Sequence, residues 1–522
     1  MQGNARIKRS LNAPNKQLDD NVFERFRVAN FLPPAHFLIL AAMAKLIPFD
    51  PGDRQVDRIE LFKFWESMRG WFIGRGYHLY EFVAEEGVEF AYAKSTIPYN
   101  PHPNMSVEKK IFDAGEDPFP YAYMGGDPTH LQITDRPVYS THHTLSGRVM
   151  YAQDTKGRHV AIKLVKGGSE EDKILHLLKG RQPDVLKRDT FNFVIPILDL
   201  IPCDDHWFAV MPRWDSTIHS PFYPTLYSAI QHIRSLLKGL IFLHENRIYH
   251  RDLRTRNLLV DHFSNAPMLS MFCNLFRRAL MKRGDLTCAI TDFDFSILLD
   301  EKTYGPNPRL PILGADVGYE YPPYETMHGH VDYDPFKYDV ALLGIYFCDT
   351  FQRIITDVPL LAPLIDRMVM SNPDERFTAK EALAFADSIV PTVYPEARID
   401  LGPEGSIYYC FVDIWEGLPP DFVAKWAHYR EDRQTLSFRI LNYLFANTRK
   451  HQEKTASHGA IATVLKIVSE KRILPKPVPK HILQSAQNRV FWPSLIDYRS
   501  KIIYSDDRRS VRIASFNFVW GI

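Results

Sequence analysis

The chain has 522 residues, of which 45% are apolar and 24% charged, with 63 Lys+Arg against 62 Asp+Glu. The length allows about two to four domains with a large buried core, and the composition excludes wholesale disorder, a collagen-like fibre and a coiled-coil rod. A formal net charge of +1 leaves no global field directed at nucleic acid or anionic lipid, and no nucleic-acid partner is expected.

Arg6, Lys8, Arg9 and Lys16 precede the first acid, Asp19, and without an apolar face they read as a basic terminus. The apolar run 31–49 contains prolines, His36 and Lys45, so it reads as a buried helix, and no transmembrane segment is expected. Helical spacing covers 22–83, with Ile59, Leu61, Phe62, Phe64, Trp65, Met68, Trp71 and Phe72 on a broad apolar face. A Pro/Gly/Asn/Asp-rich connector occupies 98–137. Two β-type runs, GRVMYAQ and RHVAIKLV, then flank the turn residues Asp154, Thr155, Lys156 and Gly157, which predicts a hairpin. Short strands follow Phe191, then long helical stretches to about 390. The remainder mixes a helix over 421–447, a basic loop over 449–458, prolines at 475, 477 and 479, and a strand over 511–519. Cys203, Cys273, Cys288, Cys348 and Cys410 are too scattered for a disulfide framework or a zinc site. A reducing compartment is the expectation, the cytoplasm first and the nucleus as alternative.

The chemistry centres on YHRDLRTRNLLV, 249–260. Asp252 and Asn257 lie five apart in a loop pinned by the apolar run that follows. A carboxylate that accepts a hydroxyl proton and an amide that ligates a divalent cation are what phosphoryl transfer asks of a loop. Downstream, Asp292 ends a short β-like run, with Phe293 behind it. Upstream, VAIK places Lys163 on a strand able to reach a phosphate, and Glu171 on the next helix is able to hold it by an ion pair.

These motifs, in this order, resemble those of the eukaryotic protein kinase superfamily, and the match runs over about half the chain. The resemblance is to divergent, lineage-expanded families such as those of fungi. It implies an α+β fold of two lobes, β-rich then α-rich, spanning 134–390, with an N-terminal extension over 1–133 and a C-terminal extension over 391–522. It also implies ATP and Mg²⁺ as cofactors, with Mn²⁺ as alternative, and an unidentified protein substrate.

Residue by residue, Lys163 resembles the lysine that pairs the phosphates and Glu171 its partner. Asp252 resembles the catalytic aspartate, with Arg254 beside it, and Asn257 and Asp292 the metal-binding pair. His250 and Phe293 resemble spine residues. Gly147, Val149 and Ala161 fall at adenine- and phosphate-covering positions. Met211 resembles the gatekeeper, with the Pro212 carbonyl and Trp214 amide facing adenine. Glu325 and Arg376 resemble the ion pair that ties down the activation segment, and Asp339 a structural aspartate.

Departures leave a pseudokinase scaffold as the rival reading. Only Gly147 remains of the glycine-rich loop, with His142 and Thr144 where glycines are expected. The D-F-G motif reads Asp292, Phe293, Asp294, and Gly318 replaces a threonine of Ser/Thr kinases. Arg251 implies control by a phosphorylated segment, with Thr303 and Tyr304 as acceptors. Arg254 and Arg256 resemble the tyrosine type and YEYPPYE the Ser/Thr type, which is preferred. The 35 positions between Asn257 and Asp292 include a basic amphipathic insertion, 262–284, that either docks a partner or membrane surface or packs on the C-terminal lobe.

Overall fold

The two runs with alternating apolar positions fold as the expected hairpin. Its turn is closed by the Asp154 N–H on the Arg158 carbonyl at 3.0 Å and by Gly157 at φ 74°, a left-handed angle that glycine adopts without steric cost. The computed structural model describes residues 46–47, 49, 56, 58–80, 82–83, 94–96, 119–124, 139–140, 147–181, 187–216, 223–263, 275–312, 323, 325, 332–399 and 413–431. The chain divides into two compact units, Met1–Asn447 and Thr448–Ile522, and every described residue lies in the first.

The hairpin belongs to a five-stranded antiparallel sheet of β1 (Tyr77–Leu79), β2 (Val149–Asp154), β3 (His159–Lys166), β4 (Asp199–Cys203) and β5 (His206–Pro212), in the order β1-β2-β3-β5-β4. Side chains alternate across it. Met150, Ala152, Val160, Ile162, Leu164, Phe208 and Val210 face Phe64, Trp65, Met68 and Phe72, which come from α1 (Arg58–Ser67) and its continuation Arg69–Ile73. On the other side Val165, Ala209 and Met211 join Ile174, Leu175 and Leu178 of α2 (Glu170–Arg181) in the main core.

Two findings revise the expectation for the first 133 residues. Helix does not continue to residue 83: Gly76 at φ 85° follows the end of Arg69–Ile73, and the chain pairs as β1, with Leu79 opposite Ala152. The sheet therefore takes its edge strand from a segment read as an extension. Beyond it, Phe82–Val83, Lys94–Thr96 and Tyr139–Ser140 form a separate three-stranded sheet. Inside the connector, Tyr123–Met124 pairs in parallel with His262–Phe263. Leu46 and Ile47 are not helical, and most of the run 31–49 lies outside the described residues, as does the strand expected over 511–519.

The second half is helical. In α3 (Leu226–Glu245) the Thr225 side chain caps the first turn, and Ile230, Ile233, Leu237 and Leu240 recur on one buried face. The short antiparallel strands β6 (Leu258–Val260) and β7 (Cys288–Ile290) lie beside it. Between them α4 (Leu275–Arg283) buries Arg277 and Leu280, so this face of the insertion packs on the protein itself. α5 (Pro335–Phe351), capped by Asp334, packs with α6 (Leu361–Val369) and α7 (Ala379–Ile389). The helix expected over 421–447 is α8 (Pro420–Trp426) followed by a single 3₁₀ turn, and 432–447 lie outside the described residues. Trp415 donates its Nε1–H to Asp366 Oδ2 at 2.7 Å, and Trp426 stands edge-on to Phe385 at 5.6 Å, which seats this segment on α6 and α7. No helix among the described residues is long and apolar enough to cross a membrane.

Candidate active site

Antiparallel pairing delivers the site residues. Val149 opposes Lys163 across β2 and β3, so both side chains leave the same face, and Ala161 lies between Tyr151 and Met211 in the same ladder. Glu171, in the first turn of α2, is buried and places Oε1 2.5 Å from Lys163 Nζ. From the other side Asp292 Oδ1 lies 2.7 Å from the same nitrogen, and Asp294 Oδ1 3.8 Å. One ammonium thus serves three carboxylates.

Burial alone lowers the Lys163 pKa, but Asp292, Glu171 and Asp294 together raise it, so the amine stays charged. Burial pushes the Asp292 carboxyl up. The Lys163 charge and hydrogen bond, with His250 and the Asp294 N–H, outweigh that and hold it below its ordinary value. Glu171 is the group left short of compensation: burial, with the carboxylates of Asp294 and Asp292, raises it to about 7 against the pull of Lys163.

The loop that carries Asp252 is anchored by α5. Asp339 of α5, fully buried, accepts the backbone N–H groups of His250 and Arg251 at 2.8 Å each. Asp252 Oδ1 accepts from Arg254 Nε, and Asn257 Nδ2 donates to both Asp252 O and Oδ2 at 2.8 Å. Each Asp252 oxygen keeps a second lone pair, and Asn257 keeps Oδ1 without a protein partner among the described residues. His250 and Phe293 meet edge to face at 5.5 Å. Glu325 and Arg376 form a buried two-point ion pair, 2.5 and 3.0 Å, so the pairing expected for these two residues is present.

Among the described residues no group of three or more His, Cys, Asp or Glu side chains is placed to hold a metal. Asn257 Oδ1 and the Asp292 carboxylate are hard oxygen donors of the type that would suit Mg²⁺, with phosphate and water oxygens needed to complete its shell.

The family model for the protein kinase domain matches residues 145–309. The chain carries a protein kinase domain. It is 24% identical over 241 residues to the CBL-interacting serine/threonine-protein kinase 13 of Arabidopsis thaliana, covering 44% of this chain and 45% of that protein. It is 22% identical over 234 residues to the probable serine/threonine-protein kinase KIN1 homolog of Enterocytozoon bieneusi, covering 43% of this chain and 37% of that protein. The chain therefore spans less than half the length of these curated relatives.

The segment expected to face adenine carries its own hydrogen bonds. The Trp214 N–H, expected to face adenine, donates instead to the Pro212 carbonyl at 3.0 Å. The indole Nε1–H of Trp214 donates to the Pro120 carbonyl at 2.8 Å. Gly147 lies at φ 66°, with its carbonyl bonded to Trp65 Nε1 at 2.8 Å. His142, Thr144 and Gly318 lie outside the described residues, whereas Thr303 sits on the short helix Glu301–Tyr304 with its N–H on Asp300.

Two side-chain clusters were not singled out from the sequence. Arg148 Nη1 lies 2.9 Å from Asp294 Oδ2. The Arg213 guanidinium, 3% exposed, stands 4.2 Å over the rings of Tyr151 and Phe263 and bonds the Tyr80 hydroxyl at 2.7 Å. Tyr80 in turn meets His159 Nδ1, and burial raises its phenol to about 12. The basic residue beside Gly147 and the extra acid after Phe293 were the legible signal for the first pair. No local pattern marks the others, because Tyr80 arrives from 133 positions before Arg213.

Proposed function

We propose that the domain transfers the γ-phosphate of ATP to protein hydroxyls, Ser/Thr rather than Tyr, with Mg²⁺ or Mn²⁺. The observation that carries this reading is Lys163 bonded at once to Glu171 at 2.5 Å and Asp292 at 2.7 Å. A fixed ammonium of this kind supports the reading, because positioning with charge neutralisation is most of what phosphoryl transfer requires. In this reading Asp252 orients the acceptor hydroxyl, Arg254 holds the Asp252 carboxylate, and Asn257 and Asp292 are the metal ligands. Val149, Ala161 and Met211 line the adenine side, with Gly147, Pro212 and Trp214 at its rim. The metal, when bound, neutralises charge between the phosphates. Both relatives are named serine/threonine-protein kinases, which supports the Ser/Thr preference.

Residues 134–390 are the catalytic segment in this proposal. The described parts of 1–133 and 391–522 act as structural additions, supported by the β1–β2 pairing and the Trp415–Asp366 bond.

The test is radiolabelled ATP with Mg²⁺ or Mn²⁺ and a generic acceptor protein, wild type beside Lys163→Met and Asp252→Asn. Label that vanishes in both variants, with nucleotide binding retained in Asp252→Asn, supports the enzyme; equal label in all three rejects it. The second reading, a pseudokinase scaffold, is favoured by the hinge, where the two adenine-facing groups bond each other. It predicts no label in any of the three proteins.

A further inference from the structure

β1 does not turn back directly into β2. The chain leaves the sheet at Tyr80 and continues into Phe82–Val83, paired with Lys94–Thr96, before it returns at Gly147. There the Gly147 carbonyl is held by Trp65, and a Cβ on this glycine would stand 3.1 Å from Leu61. The backbone at the end of this loop is therefore committed to α1. Arg148 follows immediately. Its carbonyl accepts from Leu164 N–H at 3.0 Å, one residue past Lys163, and only 14% of its side chain is exposed. The guanidinium lies 2.9 Å from Asp294 Oδ2, and the other Asp294 oxygen lies 3.8 Å from Lys163 Nζ. Arg148 and Lys163 thus flank one carboxylate that stands two positions after Asp292.

We propose that Arg148 binds the polyphosphate of the nucleotide, in place of the backbone amides of a glycine-rich loop, and that Asp294 is the positioning residue that holds it beside Lys163. This rests on the reading of the cleft as a nucleotide site. A guanidinium offers paired, charge-assisted hydrogen bonds to phosphate and keeps its charge at any working pH. Two cations around one point suit a chain of phosphates better than a single monophosphate. Asp294 fixes the arginine side chain, but as an anion it also competes with phosphate for that arginine and repels the incoming charge.

The test is calorimetric titration of the full chain with metal-free tripolyphosphate, ADP and adenosine, with thermal melts confirming that each variant is folded. Arg148→Gln is expected to weaken tripolyphosphate and ADP by ~10-fold or more, as loss of a charge-assisted contact implies, and to leave adenosine unchanged. Arg148→Lys is expected to fall between. Asp294→Asn is expected to weaken tripolyphosphate by releasing Arg148, with that loss absent when the same change is made in Arg148→Gln, where only the repulsion is relieved. If Arg148→Gln binds like wild type while Lys163→Met does not, the role of Arg148 is overturned and the nucleotide site stands. Unchanged or tighter tripolyphosphate binding by Asp294→Asn overturns the positioning role. A wild type that binds none of the three ligands overturns both the proposal and the reading beneath it.

Discussion

Asn257 and Asp292 are brought to the same end of the β6–β7 ladder by register: Leu258 pairs with Ile290, and Thr291 donates its N–H to the Asn257 carbonyl at 2.9 Å. The ladder keeps this end although its two strands, Leu258–Val260 and Cys288–Ile290, are far apart in sequence. A length of insertion that looked anomalous in sequence is therefore compatible with a metal pair.

Under the proposed function, in which Asn257 and Asp292 hold the metal, replacing either by Ala is expected to lower phosphotransfer by about 100-fold or more, the cost of losing charge stabilisation at the transferring group. Initial rates against Mg²⁺ concentration check this, and the metal midpoint is expected to move upward in both variants.

The Arg376–Glu325 pair is almost fully excluded from solvent, 0% and 1% by side chain. Arg376→Ala leaves a buried carboxylate without its partner, and a loss of about 3–5 kcal/mol follows. Urea denaturation is the measurement, and Arg376→Met combined with Glu325→Gln is expected to recover part of the loss because no isolated charge remains.

Gly344 of α5 allows α6 to approach closely: a Cβ there would lie 2.7 Å from both Met368 Cβ and Val369 Cγ1. Gly344→Ala is expected to cost about 1–3 kcal/mol through overpacking, despite the better helix propensity of alanine. Comparison of unfolding midpoints checks it.

His232 gives a pH dependence whose sign follows from burial. Desolvation lowers its pKa to about 3 from 6.5, and its Nε2 lies 3.1 Å from the Tyr346 hydroxyl, with Tyr223 and Phe351 around the ring. Above pH 6.5 the ring is neutral both folded and unfolded, and the native state keeps its full advantage. Between 6.5 and about 3 the unfolded chain takes up a proton that the folded one refuses, so stability falls as pH drops, by at most about 1.4 kcal/mol per unit from this group. His232→Phe is expected to lose less stability than wild type across that window, measured by denaturant titration at several pH values.

The sequence by itself determined the parts whose signal is local. The hairpin around Gly157 follows from alternating apolar residues and turn chemistry. Lys163, Glu171, Asp252, Asn257 and Asp292 were legible because their chemical types and order along the chain suit phosphoryl transfer. Glu325 and Arg376 were legible through the resemblance alone, and the structure then paired them.

The tertiary structure decided what depends on partners far away in the chain. The edge strand Tyr77–Leu79 looks helical until β2 offers it hydrogen bonds, because an edge strand is defined by the neighbour that pairs with it. The Trp214 indole bonds the Pro120 carbonyl from far along the chain, a contact that no local pattern announces. Arg148 and Asp294, 146 positions apart, carry no shared signal in sequence, since an ion pair across a cleft needs only proximity and opposite charge. Local propensity wrote the elements and their order; long-range packing chose which side chains share the cleft.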